Sequence, residues 1–267
     1  MVREMVDIVL DAMKHPHKPR PRGEVVLGEI TRQFWERGIK TASLTSQKHM
    51  LSTLADFLES LVEQAADRDE DRYRTVEEYL RRRRQNVGTK PSCVPLELGL
   101  NLADEVFHHP VLVELTDYIV EIIIIDNDIV SFNREQALGD DRYNLLTVAM
   151  RQYNTDFDGA VAWAAQYHAD IERKFLLTLM RVPSCGSKMD QQVYTYVCGL
   201  ANWPRCNECW SFEGARYFGD KGLEYKRTRR VPLLPKVVKT ENDSRREDDV
   251  VISLVEEIED QRSLRNP

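Results

Sequence analysis

The chain has 267 residues, 42% hydrophobic and 30% charged, with a formal net charge of -7. That length allows one large domain or two small ones, and the apolar share is enough for a substantial core. The acidic balance disfavours a general nucleic-acid role, and no apolar stretch is long enough to span a bilayer. Five scattered cysteines, odd in number, and an N-terminus without a signal-peptide core point to a reduced, cytoplasmic compartment. Taken in chain order, residues 2–13 carry apolar side chains at helical spacing, and His15-Pro16-His17-Lys18-Pro19-Arg20-Pro21 stops them. A helix is predicted at 28–40, with Phe34 and Trp35 available for packing. Residues 46–66 are a long amphipathic stretch closed by a charged linker at 67–72. Residues 75–87 read as helix up to Gly88, with Pro91 and Pro95 beyond it. A short apolar segment at 96–106 precedes a long helix at 110–135. Helices follow at 144–153, 157–180 and 189–201, then a last segment ends near Tyr217. Strand-like alternation is nearly absent, so an all-α fold of packed helices is expected. The tail is basic over 221–240 and mostly acidic over 241–249, and 250–258 suits an amphipathic turn or two. From Gly222 onward the chain is expected to be mostly poorly ordered apart from that last segment.

The most informative stretch is Asn127-Asp128-Ile129-Val130-Ser131-Phe132-Asn133-Arg134-Glu135, directly after four isoleucines at 122–125. Helical residues four apart share a face, so Asn127, Ser131 and Glu135 form one oxygen-bearing stripe. An amide, a hydroxyl and a carboxylate on a buried helix are costly unless something binds them. Mg²⁺ takes oxygen ligands of this kind and is often shared with phosphates. The plainer reading is a solvated helix face, and the isoleucine run argues against it. Asp128 lies about 100° around the helix and is not counted among the ligands. Arg134, beside Glu135, is a candidate contact for a metal-bound phosphate. Two other strings carry arginine, whose planar fork of donors suits phosphate. One is Arg216-Tyr217, within Trp210-Ser211-Phe212-Glu213-Gly214-Ala215-Arg216-Tyr217-Phe218. The other is Arg81-Arg82-Arg83-Arg84, of which one or two can point inward from a helix. Cys206-Asn207-Glu208-Cys209 has the spacing of half a zinc site, but no second pair of ligands stands nearby. Phe57, Tyr79, Phe107 and Trp203 are read as core, His15, His17, His108 and His109 as loop residues, and His168 as a face residue.

Together these strings resemble class I terpene synthases, specifically the mushroom-type (basidiomycete) sesquiterpene synthases. The nine residues from Asn127 match that family's second metal motif, (N/D)D(L/I/V)x(S/T)xxxE, at every fixed position. Arg216-Tyr217 matches its diphosphate-holding Arg-Tyr pair. Arg83-Arg84-Gln85-Asn86-Val87-Gly88 is similar to its diphosphate-sensing arginine followed by a helix break. Gly28-Glu29-Ile30-Thr31-Arg32-Gln33-Phe34-Trp35 and Lys90-Pro91-Ser92 resemble the subgroup that makes protoilludene-type sesquiterpenes. The resemblance implies a class I terpenoid synthase helical bundle over 1–221, followed by a tail at 222–267. It implies Mg²⁺ on Asn127, Ser131 and Glu135, diphosphate on Arg83, Arg84, Arg134, Arg216 and Tyr217, and Trp210 as the aromatic that faces a carbocation. The implied reaction is ionisation and cyclisation of farnesyl diphosphate.

One departure is an aspartate-rich motif, DDxxD or D(E/N)xxD, that the family carries farther upstream. Asp7 with Asp11, and Asp67-Arg68-Asp69-Glu70-Asp71, read instead as surface charge. The expectation is therefore a chain lacking the first helices of the bundle, giving little cyclised product. The alternative is a remnant that binds Mg²⁺ and diphosphate or serves as a helical partner.

Overall fold

The computed structural model describes residues 2–67, 74–237 and 254–255. The described residues are built from helices, with one isolated bridge between Val25 and Leu254. Two compact units divide the chain: Met1–Glu70 with Val238–Pro267, and Asp71–Val237. Residues 68–73, which take in all of the expected linker but Asp67, and residues 238–253 and 256–267 of the tail, lie outside the described residues. So, for the most part, does the amphipathic segment at 250–258.

The first unit contains α1 (Val2–Lys14), α2 (Val26–Gly38) and α3 (Leu44–Asp67). Helical spacing puts Val6, Val9 and Met13 on one buried face of α1, and Val6 and Val9 pack with Leu58 of α3. Gly28 lets α1 and α2 approach, because a Cβ there would sit 2.8 Å from Ile8 Cγ2. Trp35 is buried while its neighbour Phe34 is 55% exposed, so one ring of the pair packs. The proline-rich stop after α1 is pinned by Arg20. Its guanidinium is 3% exposed and bonds Glu24 at 2.7 and 2.6 Å and Asp11 at 2.6 Å. Asp11 is therefore an ion-pair partner, and its hydrogen bond with Arg20 holds its pKa below the usual carboxylate value.

The second unit is arranged around one long helix. Its members are α4 (Val76–Asn86), α5 (Thr89–Cys93), α6 (Asp104–Phe107), α7 (Pro110–Leu138), α8 (Leu145–Gln152), α9 (Phe157–Leu179), α10 (Ser187–Glu213), α11 (Ala215–Phe218) and α12 (Gly222–Thr228). Thr75 and Glu78 form a reciprocal capping box at the start of α4, and Gly88, at φ 77°, follows its end. The apolar segment at 96–106 is not one helix: a short 3₁₀ turn (Val94–Glu97) and α6 flank Gly99, whose φ of 85° breaks the run. Helix α7 starts with proline at its first position, where no N–H is needed, and ends at Gly139 in the left-handed region.

Apolar residues encircle α7, which buries it on two sides. Leu112, Leu115, Ile119, Ile122 and Ile123 pack with Val193, Tyr196 and Leu200 of α10 and with Ile171 and Phe175 of α9. Val120, Ile124, Ile125 and Phe132 pack with Tyr79 and Leu80 of α4, Leu145 and Leu146 of α8, and Ala160 and Ala164 of α9. The expected break after residue 201 does not occur. Helix α10 continues through Pro204 to Glu213, so packing against α7 outweighs the hydrogen bond that proline removes.

Residues 222–237 return to α7. A Cβ on Gly222 would run into the Phe212 carbonyl, so glycine permits the close turn into α12. The segment after α12 then lies along the C-terminal part of α7. Asn133 Nδ2 donates to the Pro232 carbonyl at 2.9 Å and Asn133 Oδ1 accepts from the Leu234 N–H at 2.8 Å. Gln136 Nε2 donates to the Leu234 carbonyl at 2.8 Å, and the Val237 N–H to the Ala137 carbonyl at 2.7 Å.

Candidate functional site

Asn127, Ser131 and Glu135 sit one turn apart on α7, and all three are buried or half-buried. The trio therefore does not lie on a solvated face. Ser131 is 4% exposed and its Oγ has no aligned hydrogen bond. A helical serine commonly bonds the carbonyl four residues back; this one does not. Asn127 is held at both ends of its amide. Oδ1 accepts from Arg83 Nη2 at 3.0 Å, and Nδ2 donates to Tyr217 Oη at 2.8 Å. Glu135 Oε2 accepts from Asn144 Nδ2 at 2.9 Å. Burial pushes the Glu135 pKa above its ordinary value. The Asp128 charge adds to that, while Asn144, the nearby Ser131 hydroxyl and Arg83 oppose it.

Asp128 does a different job, in keeping with its position around the helix. It is 2% exposed. Its Oδ2 accepts from Tyr79 Oη at 2.5 Å and from the Leu145 N–H at 2.9 Å, and its Oδ1 from Arg83 Nη2 at 3.0 Å. One buried carboxylate thus ties α7 to α4 and α8. Burial opposes the charge on Arg83, and Asp128, Tyr79 and Glu135 together more than offset it, so the Arg83 pKa lies above its ordinary value. Tyr79 is shifted up, first by burial and then by the Asp128 charge.

The adjacent arginine points elsewhere. Successive helical residues diverge by about 100°. Arg84 pairs with Glu121, which is 4% exposed and also accepts from Tyr167 Oη at 2.7 Å. The fold brings Arg83 to the trio and leaves Arg84 on a separate carboxylate.

Helix α11 supplies the far side. Tyr217 reaches Asn127, and the Trp210 ring meets Tyr217 edge-on at 5.8 Å. The exposed Arg216 guanidinium lies 5.6 Å from the Tyr217 ring centre and 5.9 Å from that of Trp210. It has no carboxylate partner among the described residues. Arg134 is also exposed and unpaired there, and it lies two turns beyond Asn127 on the same side of α7. Trp210 is 52% exposed. A separate cleft of about 730 Å³ runs along another side of α7, lined by Ile122, Asp126, Val130, His168 and Phe175 but by none of the trio.

Three oxygen donors of three kinds at one-turn spacing, one of them a buried hydroxyl with no aligned hydrogen bond, fit a hard divalent cation. The unpaired arginines beside them fit an anion. An all-helical bundle with this pairing fits a protein that holds a cation and an anionic group together. Residues 1–174 match the family described as terpene synthase family 2, C-terminal metal binding. Sesquiterpene synthase 14 of Postia placenta is 56% identical over 256 residues, covering 96% of this chain and 72% of its own. Delta(6)-protoilludene synthase 18 of the same fungus is 57% identical over 251 residues, covering 94% and 71%. Among solved structures, a single-substitution variant of cucumene synthase superimposes with a TM-score of 0.70 at 23% identity, over 79% of this chain and 72% of the other. An a-eudesmol synthase does so at 0.71 and 22%, over 79% and 70%. The chain belongs to the terpene synthase family, which implies a divalent metal and a prenyl diphosphate substrate. No helix of the described residues is long and apolar enough to cross a membrane.

Sequence reasoning missed Asp128, Tyr79 and Asn144 as parts of this network. Asn144 carried a readable signal as a helix cap ahead of Leu145-Leu146, but its reach to Glu135 depends on the fold.

Proposed function

We propose that the chain acts on farnesyl diphosphate with Mg²⁺, as a sesquiterpene cyclase that releases diphosphate. The observation that carries this reading is the buried Ser131 hydroxyl, which has no aligned hydrogen bond and is flanked on its stripe by Asn127 and Glu135. Asn127, Ser131 and Glu135 would hold the ion. A bound Mg²⁺ supplies Lewis-acid stabilisation of the leaving diphosphate. Arg216 and Arg134, free of ion pairs among the described residues, bind diphosphate oxygens through their donor forks. Tyr217 donates beside them, and Arg83 adds positive charge from within the helix packing. As the carbon–oxygen bond breaks, negative charge passes to the diphosphate, so cations fixed at that point lower the barrier. Trp210 offers the negative face of its ring to the allylic cation. Arg84 is left out of this set because Glu121 already engages it.

The test has two readouts. Farnesyl diphosphate and Mg²⁺ should give a cyclic hydrocarbon detectable by gas chromatography, even if only in the small amount expected from the sequence. Inorganic diphosphate with Mg²⁺ should give a calorimetric heat that disappears in Glu135→Gln. A chain with neither product nor a Glu135-dependent heat would overturn the reading.

A further inference from the structure

We infer that Asn144 is a positioning residue that fixes the carboxylate of Glu135 for the metal, an assignment that rests on the metal-binding reading above. Asn144 is 0% exposed, and every polar atom of its side chain is used. Oδ1 accepts from the Leu146 N–H at 2.9 Å, which caps α8. Nδ2 donates to the Asp128 carbonyl at 2.7 Å and to Glu135 Oε2 at 2.9 Å. The amide cannot turn over without facing an acceptor with an acceptor and a donor with a donor, so these neighbours set its orientation. The loop that delivers it is itself clamped. The Asn144 N–H donates to the Asp141 carbonyl at 3.1 Å, and the Tyr143 carbonyl, 2.8 Å from Tyr79 Oη, shares the single Tyr79 hydroxyl proton with Asp128.

The consequence is local to Glu135. A four-bond side chain on a helix has several rotamers, and an ion site needs one. Asn144 engages Oε2 with a donor whose own position is set by α8 and by the backbone of α7. Hydrogen-bond partners of metal ligands typically change metal affinity about 10–100-fold when removed.

Two substitutions separate this role from plain helix capping. Asn144→Ser and Asn144→Asp both keep a good cap for α8. Neither keeps an amide donor toward Glu135, and aspartate adds a like charge. Mn²⁺ uptake in the presence of inorganic diphosphate is read by electron spin resonance, with circular dichroism and thermal midpoint as the check on folding. The expected result is folded variants that bind Mn²⁺ about 10–100-fold more weakly, aspartate more so than serine. A folded variant that binds Mn²⁺ like the unsubstituted chain overturns the inference. If neither variant folds, the side chain's part is structural, and the inference is overturned as well. The unsubstituted chain and Glu135→Gln are compared first. If the unsubstituted chain takes up no Mn²⁺ through Glu135, it is the proposed function that fails, and that failure shows before any Asn144 variant is read.

Discussion

The Asn127 amide donates to the Tyr217 hydroxyl at 2.8 Å, across ninety residues of sequence. This bond joins the metal-motif helix to the short helix that carries Arg216. Tyr217→Phe removes the hydroxyl and leaves the ring packed beside Trp210 and Phe218. One neutral hydrogen bond contributes about 0.5–1.5 kcal/mol, so kcat/KM for farnesyl diphosphate should fall about 3–10-fold with little change in thermal midpoint. An unchanged kcat/KM would remove Tyr217 from the site.

Ser131→Ala separates function from stability. The hydroxyl is buried without an aligned hydrogen bond, so its loss should leave the thermal midpoint equal to or slightly above that of the parent. Divalent-metal affinity should fall about tenfold or more. A drop in stability with metal affinity intact would mean the hydroxyl is bonded structurally.

Arg216 and Arg83 should behave in opposite ways. Arg216 is exposed and unpaired among the described residues, so Arg216→Ala should change stability by no more than about 0.5 kcal/mol. Charge-assisted hydrogen bonds contribute about 1.5–3 kcal/mol, so inorganic diphosphate should bind about 10–100-fold more weakly by calorimetry. Arg83→Ala strips the partner from an Asp128 that is 2% exposed, which costs about 3–5 kcal/mol in chemical denaturation. Equal stability losses in the two variants would contradict this division.

The segment after α12 holds α7 through Asn133 and Gln136. Asn133→Ala removes both the acceptor of the Leu234 N–H and the donor to Pro232. Hydrogen exchange should therefore accelerate at Leu234 and at Val237, whose N–H reaches the Ala137 carbonyl. Protection unchanged at both amides would show that the segment is held by something other than these bonds.

His168 lies 3.3 Å from Asp126 and 3.6 Å from Glu172. The Asp126 hydrogen bond raises its pKa, burial opposes that, and the charges of Asp126 and Glu172 add to it. A histidine with a raised folded pKa contributes stability that is fully present below its unfolded value, about 6.5, and is lost as pH rises through the folded value. His168→Gln should therefore lower the thermal midpoint most under mildly acidic conditions, by the equivalent of about 1 kcal/mol or less. The gap to the parent should close as pH rises. A gap that widened with pH would reverse the sign of this pairing.

Much of the fold was legible because helices depend on near neighbours. Pro110 and Gly139 bound α7, and the period of 3.6 residues places Asn127, Ser131 and Glu135 on one side of it. The isoleucines at 122–125 told that this side was buried, and burial is what makes the stripe chemically informative. Arg216-Tyr217 was legible as a phosphate-suited pair, but nothing local tied it to Asn127.

Other features were decided only when helices met. Arg83 and Arg84 have the same local pattern, and the choice between them belongs to Asp128 and Glu121 on the facing helix. The helix predicted at 189–201 was expected to end before Pro204, yet the apolar face of α10 against α7 carried it on to Glu213. Asn144 read only as the start of a helix and Tyr79 as plain core, because their bonds to Glu135 and Asp128 span 9 and 49 positions. Composition marked the chain after Gly222 as tail, whereas side-chain bonds of Asn133 and Gln136 with the backbone of residues 232–234 give them a place on α7. Spacing within a helix sets which residues share a face. Which partner that face meets is settled by packing between segments distant in sequence, and no local pattern encodes it.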